Sequence, residues 1–137
     1  MATNIKKVDY YYCSVEDQPG ESYKLLSFLA GVGINLYAFT AVPTGLFRTQ
    51  FTFFPEDSAK MVSEAKKAKI VIDGPHPAFL IQGDDEIGAL VEIHQKLLRA
   101  NVNVFSSNAV TDGKGSFGYV LYVSPEQYKN ASEALEV

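Results

Sequence analysis

The sequence lacks the features that mark several large classes of protein. It has one cysteine in 137 residues, which excludes an internal disulfide and fits a reducing compartment. No apolar run approaches the length of about 18 residues that marks a membrane span. The first 20 residues also lack the uninterrupted apolar core of a secretory signal. We therefore expect a cytoplasmic protein that has no membrane partner.

Basic stripes and catalytic motifs are missing as well. The net charge is −4, and the basic cluster Lys66, Lys67 and Lys69 lies at a predicted helix end, where cations complement the helix dipole. We therefore expect no nucleic-acid partner. No phosphate loop, zinc-ligand spacing or nucleophile elbow occurs. We expect neither an enzyme nor a bound cofactor.

What the chain does contain is an internal repeat. Asp17-Gln18-Pro19-Gly20 and Asp85-Glu86-Ile87-Gly88 begin 68 positions apart. Because self-similarity at a fixed offset indicates repeated units, we predict two domains, residues 1–74 and 75–137, each near the lower size limit for folding alone. The same offset relates five further pairs: Leu29 and Leu97, Asn35 and Asn103, Ala41 and Ala109, Val42 and Val110, Gly45 and Gly113.

Each domain shows the same order of predicted elements. In the first, Tyr and Val residues from Ile5 to Val15 favour a strand, and apolar residues recur at helical spacing from Pro19 to Val32. Two strands around the hairpin signal Pro43-Thr44-Gly45, a helix from Pro55 and a short strand at Lys69–Asp73 follow. The second domain repeats this order without a fourth strand. Its first helix is predicted at residues 85–100, with a buried face of Ile87, Leu90, Val91, Leu97 and Leu98.

The missing strand has a consequence for assembly. The first strand of domain two, near Phe79 to Ile81, lacks one neighbour, and bare sheet edges invite association. This edge must be left open, be covered by another segment, or pair with a second molecule. Aromatic residues on the sheet face away from the helices also suggest a packing surface. We expect a homodimer with two-fold symmetry.

The turn between the first strand and the first helix is the best candidate for a binding site. Gly20 lets a ligand approach the backbone, and free N–H groups at a helix start attract a carboxylate. Asn35 offers a donor and an acceptor, and Asp17 is a possible acceptor for an ammonium group. Such a set suits an amino acid. The structural alternative is that Asp17 caps the helix and that Gly20 accommodates Pro19.

At these residues the sequence resembles the ACT domain, a small regulatory module of amino-acid metabolism. Asp17-Gln18-Pro19-Gly20 is similar to that family's Asp-x-Pro-Gly turn, and Gly33-Ile34-Asn35-Leu36 is similar to its Gly-Ile-Asn-Ile passage from helix to strand. The resemblance implies an α+β fold of two ferredoxin-like βαββαβ units in tandem, the second lacking its last strand. It also implies that an amino acid binds at an interface between domains or subunits, through Asp17, Gln18, Pro19, Gly20, Glu21, Asn35, Asp85, Gly88 and Asn103.

The preferred function is a regulatory protein that senses an amino acid and acts on an enzyme of amino-acid metabolism. A scaffold that has lost its ligand is the alternative, since Ile87 replaces the proline of the second turn. An enzyme would need a reactive pair from His94, Cys13 and the loop acids. We instead interpret His94 as partly buried and hydrogen-bonded, Cys13 as a buried thiol and His76 as part of a linker.

The acids of the first turn raise one further alternative. Glu16, Asp17 and Glu21 have the carboxylate chemistry of a hard-cation site. A solvated acidic loop is far commoner, and we expect no metal.

Overall fold

The computed structural model describes residues 3–137. Within this range the chain forms strands and helices in the predicted alternation, with most boundaries shifted by a few residues. The strands are β1 Thr3–Glu16, β2 Leu36–Pro43, β3 Arg48–Pro55, β4 Asp73–Asp84, β5 Ser106–Thr111 and β6 Ser116–Tyr122. The helices are α1 Glu21–Gly31, α2 Ser58–Ala68, α3 Val91–Arg99 and, after a short 3-10 turn at Pro125–Gln127, α4 Tyr128–Ala134.

The chain divides into two compact units whose limits differ from the predicted domains. The first unit is Asp9–His76, and the second contains Pro77–Val137 together with residues 3–8. The predicted boundary at residue 74 therefore lies inside β4. Both units are α+β, with antiparallel strand pairs.

In the first unit, β3 lies between β2 and β1. Tyr11 of β1 and Phe39 of β2 both lie opposite Phe53 of β3. Because alternate residues of a strand point to opposite faces, Tyr11, Phe51 and Phe53 share the face that the helices cover. The core on this face comprises Tyr11, Leu25, Leu29, Ile34, Phe51, Phe53, Met61 and Ala65.

The last strand of this unit is not the one predicted. Residues 70–72 belong to no regular element, and the strand begins at Asp73 as the start of β4. Pro75 and Pro77 lie within this strand, although proline donates no ladder hydrogen bond and usually marks an edge or an irregularity. The prediction of a strand at Lys69–Asp73 followed by a linker is therefore wrong, and His76 is a strand residue.

In the second unit, β6 lies between β4 and β5. Ile81 of β4 and Ala109 of β5 both lie opposite Tyr119 of β6. Helices α3 and α4 supply apolar side chains to the core of this unit. The fully or almost fully buried members are Phe79, Ile81, Leu97, Tyr119, Leu121, Ala131 and Leu135.

The edge of the second unit that was expected to lack a neighbour is covered. β4 has β6 on one side and β1 on the other, and the described residues of β1 in this unit are 3–8. The prediction that this unit lacks a fourth strand is therefore wrong. Of the three alternatives for the edge, the structure shows cover by another segment of the same chain.

Helix α3 begins later and faces the core differently than predicted. It starts at Val91 rather than at residue 85, and its buried residues Ile93 and Leu97 are four positions apart, which places them on one face. Ile87 is fully exposed, and Val91 and Leu98 are 66% and 77% exposed. Of the predicted buried face, Leu97 is buried and Leu90 packs against the core. The prediction was wrong for Ile87, Val91 and Leu98 because the residues before Val91 form turns, not helix.

Candidate functional site

The turn before α1 leaves the start of that helix without a side-chain cap. The cap residue is Gly20, at φ 92°, and no side chain accepts a hydrogen bond there. By contrast, Asp57 caps α2, with its carboxylate accepting from the Lys60 N–H at 3.0 Å. The alternative reading of Asp17 as the helix cap is therefore wrong. The first N–H groups of α1, which have no intrahelical partner, are left for solvent or a ligand.

Gly20 also leaves open space in front of this helix start. A Cβ atom built on Gly20 would have no heavy atom within 4 Å. Its positive φ is a conformation that glycine adopts without the steric cost that other residues meet. A ligand thus has direct access to the backbone at this point.

Two predicted binding residues, Gln18 and Glu21, are bonded to each other. The Gln18 side-chain amide donates to Glu21 Oε1 at 2.7 Å, and Lys24 Nζ lies 3.4 Å from the same oxygen. The hydrogen bond from Gln18, assisted by Lys24, holds the pKa of Glu21 below its usual range. Glu21 therefore stays ionised at neutral pH, and its hydrogen bond with Gln18 stabilises the turn.

Each turn is tied to the hairpin loop of its own unit by an equivalent backbone bond. The Asp17 N–H donates to the Phe47 carbonyl at 2.8 Å, and the Asp85 N–H donates to the Gly115 carbonyl at 2.9 Å. The two donors, Asp17 and Asp85, are 68 residues apart, and so are the two acceptors, Phe47 and Gly115, which is the offset of the repeat. The similarity of the two turns thus extends to how each is held.

In the second unit, the turn borders a cleft of about 390 Å³. Ligand sites begin at roughly 300 Å³, so this volume suits a small metabolite. Thr111 Oγ1 donates to Asp85 Oδ2 at 3.0 Å and fixes the carboxylate at the rim. The lining combines turn, helix and hairpin residues: Asp85, Glu86, Gly88, Ala89, Leu90, Val91, Ala109, Val110, Thr111 and Phe117.

Helix α3, like α1, starts without a side-chain cap, although its first N–H, on Val91, donates to the Gly88 carbonyl at 3.0 Å. Its cap residue is Leu90, and no side chain accepts a hydrogen bond there. Gly88 has a φ of 78°. The two helices that follow the repeated turns therefore share an uncapped start, although Ile87 replaces proline in the second.

The predicted asparagines lie away from the turns of their own units. Asn35 follows α1 and Asn103 follows α3, so a whole helix separates each turn from the asparagine of its unit. At a rise of 1.5 Å per residue, α1 is about 16 Å long and α3 is about 13 Å long. The Asn35 carbonyl accepts from Glu56 N–H at 2.9 Å, and the Asn103 N–H donates to Gln127 Oε1 at 3.1 Å. A ligand at one turn is out of reach of the asparagine of that unit. Their part in binding stays a prediction.

The residues considered for other chemistry are spread over the fold. His94 Nε2 lies 2.7 Å from the Tyr119 hydroxyl and is half-buried, as interpreted from the sequence. Cys13 lies in β1 of the other unit, where burial raises the pKa of its thiol. Within residues 3–137 no group of three or more His, Cys, Asp or Glu side chains is placed to hold a metal ion. No helix in this range is long and apolar enough to cross a membrane.

His76 belongs instead to an aromatic cluster on the first unit's sheet. Its ring lies 5.2 Å from that of Tyr10 and 5.3 Å from that of Tyr12, and Nε2 lies 2.8 Å from Asp73 Oδ1. Hydrogen bonds from Tyr12 and then His76 lower the pKa of Asp73. Tyr10 and Tyr12 alternate with buried Tyr11, so this cluster lies on the face away from the helices.

Sequence reasoning missed the hairpin contribution to the site. Thr111 and the carbonyls of Phe47 and Gly115 were not singled out, yet they hold the turns in place. A signal was present, since Gly45 and Gly113 repeat at the same offset as the turns. Their spacing alone did not show that the hairpin loop folds back onto the turn.

Comparison with known proteins shows the fold. No protein-family model and no curated protein match the chain. It is similar to a solved protein of Bacteroides thetaiotaomicron, with a TM-score of 0.80 at 17% identity over 96% of this chain and 88% of that one. The ligand-free regulatory subunit of aspartate kinase from Thermus thermophilus gives 0.64 at 15% identity, over 98% and 94%. The aspartokinase alpha and beta subunits give 0.64 at 14% identity, over 100% and 99%.

These identities are low, so the likeness carries the fold alone. The chain has the α+β fold of aspartate kinase regulatory subunits, which agrees with the ACT-like fold that its turn implied. Of the neighbours named above, one is a regulatory subunit of aspartate kinase and one consists of aspartokinase alpha and beta subunits.

Proposed function

We propose that the protein binds an amino acid at its repeated turns and, through that binding, regulates an enzyme of amino-acid metabolism in the cytoplasm. One observation carries the proposal. Both helices that follow a repeated turn start without a side-chain cap and behind a glycine of positive φ, whereas α2 is capped by Asp57. Uncapped N–H groups and the helix dipole favour a carboxylate at these positions.

Besides donors for its carboxylate, an amino acid needs a hydrogen-bond acceptor for its ammonium group. Asp17 and Asp85 open the two turns, and each has its backbone N–H fixed by a hairpin carbonyl. A negative aspartate carboxylate beside the positive end of a helix places both polarities within one small region. This arrangement suits a zwitterion better than a simple anion, which the acids of the turns would repel.

The second unit has a cleft at its turn, lined in part by Asp85. Its cleft of about 390 Å³ has apolar walls from Leu90, Val91 and Val110, which favour an amino acid with an apolar side chain. The fold shared with regulatory subunits of aspartate kinase supports the regulatory part of the proposal.

Thermal unfolding in the presence of each common amino acid at millimolar concentration tests the proposal. A ligand at 100 times its dissociation constant stabilises by about 2.7 kcal/mol, so at least one amino acid is expected to raise the Tm. Gly20→Val and Gly88→Val, which fill the space before α1 and α3, are the site variants. Gly31→Ala, at a helical position with no heavy atom within 4 Å of the new Cβ, is the control.

The outcomes separate a sensor from a scaffold. Loss of the ligand response in a folded Gly20→Val or Gly88→Val variant, with the response kept in Gly31→Ala, supports the site. If no amino acid changes the Tm of the unsubstituted protein, the proposal fails. An equal response in all variants would place the ligand elsewhere.

A further inference from the structure

We infer that Phe47 is a specificity residue of the amino-acid site in the first unit, where its phenyl ring packs against the side chain of the bound amino acid. The inference rests on the proposed function, because it assigns a side-chain contact to the ligand of the turn at residues 17–20. It is drawn from the internal repeat, which supplies a second hairpin for comparison with the first.

Phe47 and Gly115 occupy equivalent places in the two hairpin loops. The carbonyl of Phe47 accepts from the Asp17 N–H at 2.8 Å, and the carbonyl of Gly115 accepts from the Asp85 N–H at 2.9 Å. Both residues have a left-handed backbone, with a φ of 67° at Phe47 and 98° at Gly115. The two positions therefore share a hydrogen bond and a backbone conformation, and they differ in the residue that fills them.

Phenylalanine is the strained residue of this pair. A positive φ suits glycine, but it is an outlier for a residue with a bulky side chain. Burial of the ring does not offset that strain, because Phe47 is 80% exposed. Strained residues are concentrated at ligand sites, where the contact they make is part of the function. The ligand of the adjoining turn supplies such a contact for Phe47.

The large apolar side chains beside the two turns are distributed in opposite ways. In the second unit, Leu90 before α3 lines the cleft, and the hairpin position is Gly115. In the first unit, the residue 68 positions before Leu90 is Ser22, which is polar and exposed, and the hairpin position is Phe47. The helix start thus supplies the apolar side chain in one unit, and the hairpin supplies it in the other.

The ring of Phe47 selects for the side chain of the ligand. Under the proposed function, the start of α1 binds the carboxylate of the amino acid and Asp17 accepts from its ammonium group. The side chain of the ligand is the part left to meet the phenyl ring, and aromatic rings pair favourably with one another. Tyr23, near the start of α1, adds a second ring that is 76% exposed. The first unit therefore favours an aromatic amino acid.

Residue-resolved amide NMR tests the inference, because the amides of residues 20–23 report on the first unit alone. L-Phenylalanine is expected to bind at this turn at least about tenfold more tightly than L-alanine, and Phe47→Gly should remove most of that difference by weakening L-phenylalanine alone. Phe47→Tyr keeps the ring and should retain the affinity. Leu46→Ala is the control, because Leu46 is also exposed, at 84%, and should bind L-phenylalanine as the unsubstituted protein does.

Thermal unfolding without ligand separates a binding role from a structural role. Phe47→Gly places at this left-handed position the residue that the repeat has there, so its Tm should equal or exceed that of the unsubstituted protein. Removal of a ring that stabilised the hairpin would lower the Tm instead. An undiminished Tm together with the loss of tight L-phenylalanine binding is the expected pair of results.

Several results would overturn the inference and leave the proposed function in place. One is L-phenylalanine binding at the first turn no more tightly than L-alanine while another amino acid binds at either turn. Another is a Phe47→Gly variant that keeps its affinity, or an equal loss of affinity in Phe47→Tyr or Leu46→Ala. A clearly lower Tm for Phe47→Gly would assign the ring to the stability of the hairpin. If no amino acid shifts the amides of either turn, the proposed function fails and the inference fails with it.

Discussion

The backbone N–H of Asp17 donates to the carbonyl of Phe47 across 2.8 Å, joining the turn before α1 to the β2–β3 hairpin loop. The second unit repeats this bond between Asp85 and Gly115 and adds the Thr111 hydroxyl on the Asp85 carboxylate. A displacement of either hairpin is therefore felt at the turn that starts the helix. These bonds connect the turns, at which we propose that a ligand binds, to the strands of the sheet.

Replacing Thr111 by valine tests the added side-chain link. Thr111→Val keeps the branched shape but removes the donor to Asp85 Oδ2. The hydroxyl also accepts from the Gly113 N–H at 3.0 Å, so two hydrogen bonds are lost. At about 0.5–1.5 kcal/mol for each bond, we expect a loss of roughly 1–3 kcal/mol in the free energy of unfolding. Thr111→Ser keeps the hydroxyl and serves as the control. Equal stability of Thr111→Val and the unsubstituted protein in urea unfolding would contradict the assigned role.

The buried face of α3 is tested by two neighbouring leucines. Leu97 is almost fully buried, whereas Leu98 is mostly exposed. Leu97→Ala is expected to cost about 2–5 kcal/mol because it leaves a cavity in the core. Leu98→Ala should change the free energy of unfolding by less than about 0.5 kcal/mol. A cost at Leu98 as large as that at Leu97 in denaturant unfolding would contradict this burial and support the face predicted from sequence, which includes both leucines.

The close approach of β4 to β1 depends on Gly74. A Cβ on this residue would lie 2.6 Å from the Tyr11 ring and 2.8 Å from the Tyr10 carbonyl, and its φ of 145° is strained for other residues. Because Tyr11 is buried and cannot yield, Gly74→Ala should destabilise by about 2 kcal/mol or more. Gly31→Ala, inside α1, is expected to be neutral or stabilising by up to about 1 kcal/mol. Thermal unfolding of the two variants gives the comparison, and an unaffected Gly74→Ala would refute the contact.

The Asp73 carboxylate predicts a stability change in acid. Hydrogen bonds from Tyr12 and His76 lower its pKa in the folded protein. A carboxylate whose folded pKa is depressed stabilises the fold above its unfolded pKa, and the contribution is lost as the pH falls through the folded pKa. The Tm should therefore decline below the ordinary pKa range of aspartate.

Two variants isolate this acid effect. Asp73→Asn removes the titrating group, and Tyr12→Phe removes the first donor, so both should show a shallower decline of Tm with falling pH. The decline is measured for each variant by comparing its Tm at neutral pH with its Tm in acid. An acid decline in Asp73→Asn as steep as in the unsubstituted protein would assign the effect to other carboxylates.

The repeat predicted the order of elements and the positions of both turns because these depend on local signals. Gly20 and Gly88 both lie in those turns, at φ 92° and 78°. The fourth strand of the second unit was missed because residues 3–8 reach β4 from the opposite end of the chain. No local pattern encodes such a long-range pairing.

The prediction of α3 failed for a different reason. The sequence pattern places Ile87 and Leu90 on the buried face of a helix that starts at Asp85. In the structure residues 87–90 form turns, so the helix starts only at Val91 and a different set of its residues faces the core. Exposed Val91 and Leu98 are apolar, so composition alone favoured the wrong face. Thr111 was missed as part of the candidate site because only the folded hairpin brings it next to Asp85.

Amide NMR during titration with the amino acid that most raises the Tm tests most directly whether the repeated turns bind it. Chemical-shift changes are expected to be largest at the amides of Gly20 to Tyr23, of Gly88 to Ile93, or of both groups, with saturation on one binding curve. Gly20→Val and Gly88→Val should abolish the changes at their own turn. Saturable binding whose largest shifts lie on residues remote from both turns would contradict the proposed site.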